Sequence, residues 1–281
     1  MKRFAAALTV ALSAGAAFGQ TGLIIGVDDA TVPIYIYNES GQWQPLLTGY
    51  ATWGAAVDPA TCTLYFNAGG SLYRYSREDA DATLIGTMTY NGATVNTVSL
   101  AFYNGVLYGT RNITTEAVYT INTATAEMTL VYAYPSADFD FGGLDIDPDT
   151  GIMYGTNDDA TPLGTGIFSF DLENQTTNFV APYPTEGQLP GMGNDIDGLA
   201  AGGGKLWLAI DNPGGIGVYN IATGQYEAPL TNPYTTSEVF AAAAWGPCFF
   251  GTQCPRCAAD YDQSGGVDGD DISAFFADWQ A

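Results

Sequence analysis

Five stretches of the chain repeat one arrangement of apolar and polar positions. A run of small apolar residues is followed by a turn, an aromatic run, a polar loop, and further short alternating runs. The clearest copy of the first half is Phe141 to Asp159, FGGLDIDPDTGIMYGTNDD. Aligning the aromatic run of each copy puts pivots at Ile25, Tyr65, Tyr108, Tyr154 and Trp207, with spacings of 40, 43, 46 and 53 residues. Short alternating runs bounded by Gly, Pro, Asn and Asp mark strands, and self-similarity at such a period predicts a β-propeller.

The pattern assigns the strands blade by blade. The opening blade has Leu23 to Val27, Val32 to Tyr37 and Trp43 to Leu47, with no small apolar run before them. Blade two takes Trp53 to Asp58, Leu64 to Asn67, Leu72 to Tyr75 and Thr83 to Met88, with Asp58-Pro59 as a turn signal. Blade three takes Val98 to Phe102, Val106 to Gly109, Ala117 to Ile121 and Met128 to Tyr132. Blade four adds Gly166 to Phe170 and Thr177 to Val180 to the stretch quoted above. Blade five takes Ile196 to Ala200, Lys205 to Ile210, Ile216 to Ile221 and Tyr226 to Leu230. One small apolar run is left over, Val239 to Trp245, VFAAAAW. It supplies the strand the opening blade lacks, so pairing it with Leu23 to Val27 closes a ring of five sheets and leaves no free edge at the seam. The small residues expected where inner strands converge stand at Ala55-Ala56, Leu100-Ala101, Leu199-Ala200 and Ala241 to Ala244.

Composition narrows the function. Lys and Arg number 7 against 30 Asp and Glu, a formal charge of −23, which argues against nucleic acid or an anionic membrane surface as partner. Cations, neutral glycans and basic proteins remain. The chain has no histidine, which excludes a Ser-His-Asp hydrolase, a Cys-His protease and the histidine-bearing zinc and iron sites.

Residues 1–19 read as a secretory signal. Lys2 and Arg3 form the positive end, Phe4 to Ala17 an apolar run too short to span a bilayer, and Ala17-Phe18-Gly19 a small-residue cleavage site. Its removal takes the charge from −23 to −25, and no later stretch reaches a transmembrane length, so a secreted or surface-associated product is expected. The propeller then occupies 20–247, a Cys-containing linker 248–256, and a distinct tail 257–281.

In a propeller, the loops between second and third strands share one face with the segments leading into each blade's first strand. That face gathers Asp28, Asp29, Asn67, Arg111, Asn112, Asn157, Asp158, Asp159, Asp211 and Asn212 from the loops. The lead-in segments add Asp138, Asp140, Asn194 and Asp195. Convergent carboxylates and amides suit a cation or sugar hydroxyls; Asn and Asp also make turns by local hydrogen bonds, and both readings stand. In blade count alone the chain is similar to secreted glycosidases acting on arabinose- or fructose-containing glycans, whose chemistry needs two carboxylates flanking the scissile bond. Here Asp145 and Asp147 lie inside blade four and Asp195 and Asp197 near the start of blade five, with Asp147 of DPDTG reading as a turn residue on the opposite face. A glycan-active enzyme is thus the alternative to a non-catalytic binding propeller.

The four cysteines are Cys62, Cys248, Cys254 and Cys257. Export makes disulfides the expectation, with three connectivities open. A Cys62–Cys248 bridge would pin the seam of the ring and leave Cys254 and Cys257 as a local pair.

The most specific motif begins at Asp260. Counting it as position one of a calcium loop puts Asp260, Asp262, Ser264, Asp268 and Asp271 at ligand positions, Gly266 at the backbone-carbonyl position and Val267 at the apolar anchor. The run Ile272 to Trp279 follows as a helix with Ile272, Phe275, Phe276 and Trp279 on one face. So short a unit needs calcium and a partner surface to stay ordered.

This loop, with Asp at position twelve and a short helix after it, resembles one half of a dockerin. Cys257-Ala258-Ala259-Asp260 and the terminal Phe-x-x-x-Trp are similar to dockerin-type tails of exported bacterial proteins. The resemblance covers residues 257–281 and implies calcium on Asp260, Asp262, Ser264, Gly266, Asp268 and Asp271, with a cohesin-like or envelope receptor on the helix. Ser264 replaces the usual Asp or Asn, and the second loop-helix of a full dockerin is missing.

Overall fold

A computed structural model describes residues 22–38, 40–111, 116–134, 139–159, 163–189 and 196–249. They form an all-β, five-bladed propeller. From the axis outward, blade one is Ala241–Trp245, Leu23–Val27, Ile34–Tyr37 and Trp43–Leu47. Blade two is Gly54–Asp58, Thr63–Ala68, Ser71–Ser76 and Thr83–Thr87; blade three is Ser99–Tyr103, Val106–Arg111, Ala117–Ile121 and Met128–Ala133. Blade four is Phe141–Ile146, Met153–Asn157, Gly166–Asp171 and Thr176–Ala181. Blade five is Gly198–Gly202, Lys205–Ala209 and Gly215–Asn220, with an outer strand in two pieces.

The ring closes as the sequence pattern requires. Ala241–Trp245 pairs antiparallel with Leu23–Val27 in continuous register, from Leu23 opposite Trp245 to Val27 opposite Ala241. The innermost strands neighbour one another in cyclic order, and Ala241–Trp245 sits between those of blades five and two. The five pivots face equivalent inner positions: Ala243, Ala56, Ala101, Asp145 and Ala200. Four are alanines, so Asp145 is the exception.

Small side chains at the axis follow from how closely the inner strands approach. A Cβ on Gly54 would lie 2.7 Å from Ser99 Cα, one on Gly143 2.8 Å from Leu199 Cβ, and one on Gly198 3.0 Å from Ala241 O. Each glycine thus lets its strand touch the next blade, and the apolar core divides into five clusters, one between each pair of neighbouring blades. Burial there is the main favourable contribution to the fold.

The outer edges are managed in a repeated way. In four blades the pairing of third and outer strands shifts register at the same place, beside Tyr35, Tyr73, Tyr119 and Phe168. Such bulges twist an edge strand away from pairing with another chain, and Pro45 adds a residue without an N–H donor in blade one.

Two details depart from the sequence reading. The run Tyr226 to Leu230 is not one strand: Tyr226 pairs with Tyr219 and Leu230 with Ile216. Pro229, between them, has no N–H to give the ladder. An additional hairpin, Thr89–Tyr90 with Ala93–Thr94, stands between blades two and three. Its turn is Asn91-Gly92, with φ of 51° and 78°, the mirror-image two-residue turn that Asn-Gly favours.

The Cys62–Cys248 disulfide is formed, with Cα atoms 5.7 Å apart. Cys62 closes the turn DPATC, as Gly151 closes DPDTG in blade four, and both have positive φ, 51° and 72°. Blade two therefore carries a cysteine where the repeat has a glycine, and the bond ties that turn to the short 3-10 turn Pro247–Phe249 after the closing strand. The expected calcium loop and helix of residues 260–279, Cys254 and Cys257, and the expected secretory signal of residues 1–19 all lie outside the described residues.

Candidate functional site

The face formed by the second-to-third loops and the lead-in segments is built from strand ends, where backbone groups run out of ladder partners. At every seam a lead-in segment is bonded to the second strand, or the residues just after it, of the preceding blade. Between blades one and two the Thr52 N–H donates to the Val27 carbonyl at 2.7 Å. Between two and three Asn67 Nδ2 donates to the Thr97 carbonyl at 2.8 Å. Between three and four the Thr110 and Tyr134 hydroxyls share a bond of 2.6 Å. Between four and five Thr156 Oγ1 donates to the Ile196 carbonyl at 2.7 Å, and between five and one the Glu238 N–H donates to the Asp211 carbonyl at 3.0 Å. Each such bond contributes on the order of 1 kcal/mol, and leaving one partner buried without the other would cost more. Thr52, Asn67, Thr97, Thr110 and Thr156 are fully buried at these latches; the side chains of Asn67, Thr110 and Thr156 make the bonds themselves, whereas Thr52 and Thr97 act through their backbone, and Thr52 Oγ1 and Asn67 Oδ1 have no hydrogen-bond partner among the described residues.

Sequence-selected residues fall into two groups on this framework. Around Gly142, Asp140 donates its N–H to Asn157 Oδ1 at 3.0 Å, and the Asp158 N–H donates to the Asp140 carbonyl at 3.1 Å. Asp158 Oδ1 accepts from the Tyr183 hydroxyl at 2.6 Å and the Ile196 N–H at 3.3 Å. Asn157 Nδ2 donates to the Asp159 and Gly164 carbonyls, each at 2.8 Å. Asp197 lies against the same glycine, its Cα 3.4 Å from where a Gly142 Cβ would stand.

The second group holds the approach to the closing strand. Asp28 Oδ1 accepts from the Val239 N–H at 3.0 Å and the Phe240 N–H at 3.2 Å, while Asp211 receives Glu238 as described. Asp29, in the same loop as Asp28, accepts from the backbone N–H and hydroxyl of Thr31, which hold its carboxyl below the usual carboxylate range. Asn112, Asp138, Asn194 and Asp195 lie outside the described residues.

Asp145 and Asp147 take different parts. Asp145 Oδ1 accepts from the Ile146 N–H at 2.8 Å and Oδ2 from the Ala201 N–H of blade five at 2.7 Å, so its carboxyl clamps two blades. Burial pushes its pKa well up, against the lowering effect of those two bonds. Asp147 is the turn residue its motif suggests, accepting from the Asp149 N–H at 3.3 Å and the Thr150 hydroxyl at 2.7 Å.

Aromatic residues on this face were not singled out from the sequence. Trp53 and Phe240 each immediately precede an inner strand and stack with ring centroids 4.3 Å apart across the blade one–two seam. Their position just ahead of a small apolar run, repeated in two blades, is the signal that could have found them.

The strands, seams and loops together define a closed five-bladed β-propeller with a latched face. No protein-family model matches the sequence, and no curated protein is similar to it in sequence. A chain from the crystal structure of a nidogen/laminin complex shares the fold, with a TM-score of 0.54 at 12% identity, covering 80% of this chain and 99% of that one. A chain of Citrobacter koseri AztD aligns at a TM-score of 0.36 and 12% identity, covering 79% of this chain and 59% of that one, so this chain spans less than two thirds of that protein's length.

Proposed function

We propose that the chain is an exported, non-catalytic binding or scaffold propeller, held at or sorted to its site of action by a calcium-binding C-terminal tail. The observation that carries the reading is the seam. A closing strand, a disulfide and inter-blade hydrogen bonds fix the ring as a rigid platform, and the bond attaching the last described residues to blade two stands at the start of the linker that leads to the tail. Such a disulfide forms and persists in oxidising surroundings, in keeping with export through residues 1–19. Among the described residues no helix is long and apolar enough to cross a membrane.

On this reading the face bearing Asp28, Asp29, Asp140, Asn157, Asp158 and Asp211, together with Asn112, Asp138, Asn194 and Asp195, meets a protein or a glycan. The nidogen/laminin complex offers a precedent for a chain of similar fold found with another protein. In the tail, Asp260, Asp262, Ser264, Asp268 and Asp271 supply oxygen donors and Gly266 a carbonyl, a donor set suited to calcium. The adjoining helix docks a cohesin-like or envelope receptor, and Cys254 pairs with Cys257. The test is calorimetric titration of calcium into the mature chain and into the Asp260→Ala, Asp271→Ala double variant. One site should be lost while the melting temperature of the propeller stays within about 2 °C, since the substitutions lie beyond its core. Equal calcium binding by the double variant would remove the tail from the account.

A further inference from the structure

The stacked pair Trp53 and Phe240 is held on a fixed base. Both residues are half-buried, and Val239 beside them is 64% exposed. The Asp28 N–H donates to the Phe240 carbonyl at 3.2 Å, Asp28 Oδ1 accepts from the Val239 and Phe240 amides, and the Trp53 N–H donates to the Asn67 carbonyl at 2.8 Å. In blade two only Gly69 and Gly70 separate the second strand from the third, whereas residues 28–33, 112–116, 158–165 and 210–214 do so in the other blades. A Cβ on Gly69 would stand 3.8 Å from Trp53 Cη2. A turn without side chains therefore borders the indole and leaves that edge of the ring uncovered.

Carboxylates border the pair on the blade-one side. Asp28 uses Oδ1 for the two amides, and no bond reaches its Oδ2 among the described residues. Asp29 follows it in the same loop, and Glu238 immediately precedes Val239. In a chain of formal charge −23, Arg111 is the only lysine or arginine among the described residues of this face's loops and lead-in segments. Aromatic ring faces carry negative charge density of their own, so rings and carboxylates here attract the same kind of ligand. A cation over a tryptophan gains most where part of its water is excluded, an anion is repelled, and a neutral sugar gains nothing from the charge.

We propose that this aromatic platform docks a basic polypeptide segment, one arginine or lysine of which enters over Gly69-Gly70 and sets its cationic head on the Trp53 ring beside the Asp28 carboxylate. The aliphatic stem of that side chain lies along apolar surface, as long basic side chains do. The inference rests on the reading of this face as a binding surface and fixes the chemistry of its partner as cationic.

The test titrates a fluorescein-labelled oligoarginine peptide into the mature chain at physiological ionic strength and follows anisotropy, with melting curves confirming that each variant is folded. Trp53→Leu and Asp28→Asn should each weaken binding about five-fold or more, while Trp53→Phe, which keeps an aromatic face, should lose much less. Asp171→Asn removes the same charge at the far end of blade four's third strand, on the opposite face, and should change affinity by less than about two-fold. Unchanged binding by Trp53→Leu, or an Asp171→Asn variant as weak as Asp28→Asn, would mean diffuse attraction to the whole chain and would overturn the proposal. A second arm titrates neutral cello- and xylo-oligosaccharides. Binding of these that is lost in Trp53→Leu, with no oligoarginine bound, would overturn the cationic partner while keeping the face as a binding surface. Failure of both probes to bind would count against the partner and the face together.

Discussion

Replacing Gly54 with alanine tests how tightly the five inner strands converge. The new methyl carbon would lie 2.7 Å from Ser99 Cα and 2.8 Å from its carbonyl carbon, both backbone atoms of the neighbouring blade. Ordinary carbon contacts begin near 3.5 Å, so the two inner strands must part by several tenths of an ångström. Those strands belong to a closed ring, and the displacement is passed to the other seams. Overpacking of this kind costs about 1–3 kcal/mol, and rigid backbone on the far side puts Gly54→Ala at about 3 kcal/mol. For a domain of this size that lowers the melting temperature by roughly 6–12 °C. Gly204→Ala is the control: φ there is +73° with nothing within 4 Å of the added methyl, so its cost is the left-handed backbone alone, about 1 kcal/mol. Thermal unfolding followed by circular dichroism on both variants decides the matter. If Gly54→Ala melts no lower than Gly204→Ala, the axis is looser than described and the argument from close approach fails.

Two further predictions concern the seams. Loss of the Cys62–Cys248 bond in the Cys62→Ser, Cys248→Ser double variant reopens a loop spanning 186 residues, for which chain entropy gives about 5 kcal/mol as an upper bound. Chemical denaturation should show a loss of at least about 2 kcal/mol, and an unchanged midpoint would mean the bond does not hold the closing strand. Asp145 has a folded pKa raised by burial, so its contribution is fully present below the ordinary carboxylate pKa near 4 and is lost as pH rises through the folded value. Asp145→Asn mimics the protonated side chain, so the wild-type advantage over it should be largest near pH 4 and shrink toward pH 7. An advantage that grows with pH would contradict a raised pKa.

Architecture was legible in the sequence because each blade repeats its own pattern. The count of five, the missing inner strand before Leu23 and its replacement in VFAAAAW follow from periodicity alone, and so does a cysteine pair flanking the seam. The hairpin at Thr89–Thr94 is signalled only by Asn91-Gly92, because its strands are two residues long and carry no period. The latches were not legible for a different reason. Asn67 bonds a carbonyl 30 residues away and Asp145 an amide 56 residues away, each in the next blade, and nothing near either residue names its partner. Turn-forming and ligand-holding carboxylates look alike in a sequence; here the described ones on the latched face also build the scaffold.

Closure of the ring rests on Ala241–Trp245 being an integral member of blade one. Native-state hydrogen exchange at the amides of Ala242 and Ala244, the alanines whose register puts them in hydrogen-bonded pairs with Gly26 and Ile24, measures this directly. An inner strand paired with Leu23–Val27 and covered by blades five and two should exchange them only through global unfolding, with opening free energies equal to those of the slowest-exchanging amides of the second strand of blade three, Val106–Arg111. Exchange of the two alanines as fast as that of the outer strand Thr83–Thr87 would mean that the ring opens at this seam, and the closed propeller would have to be given up.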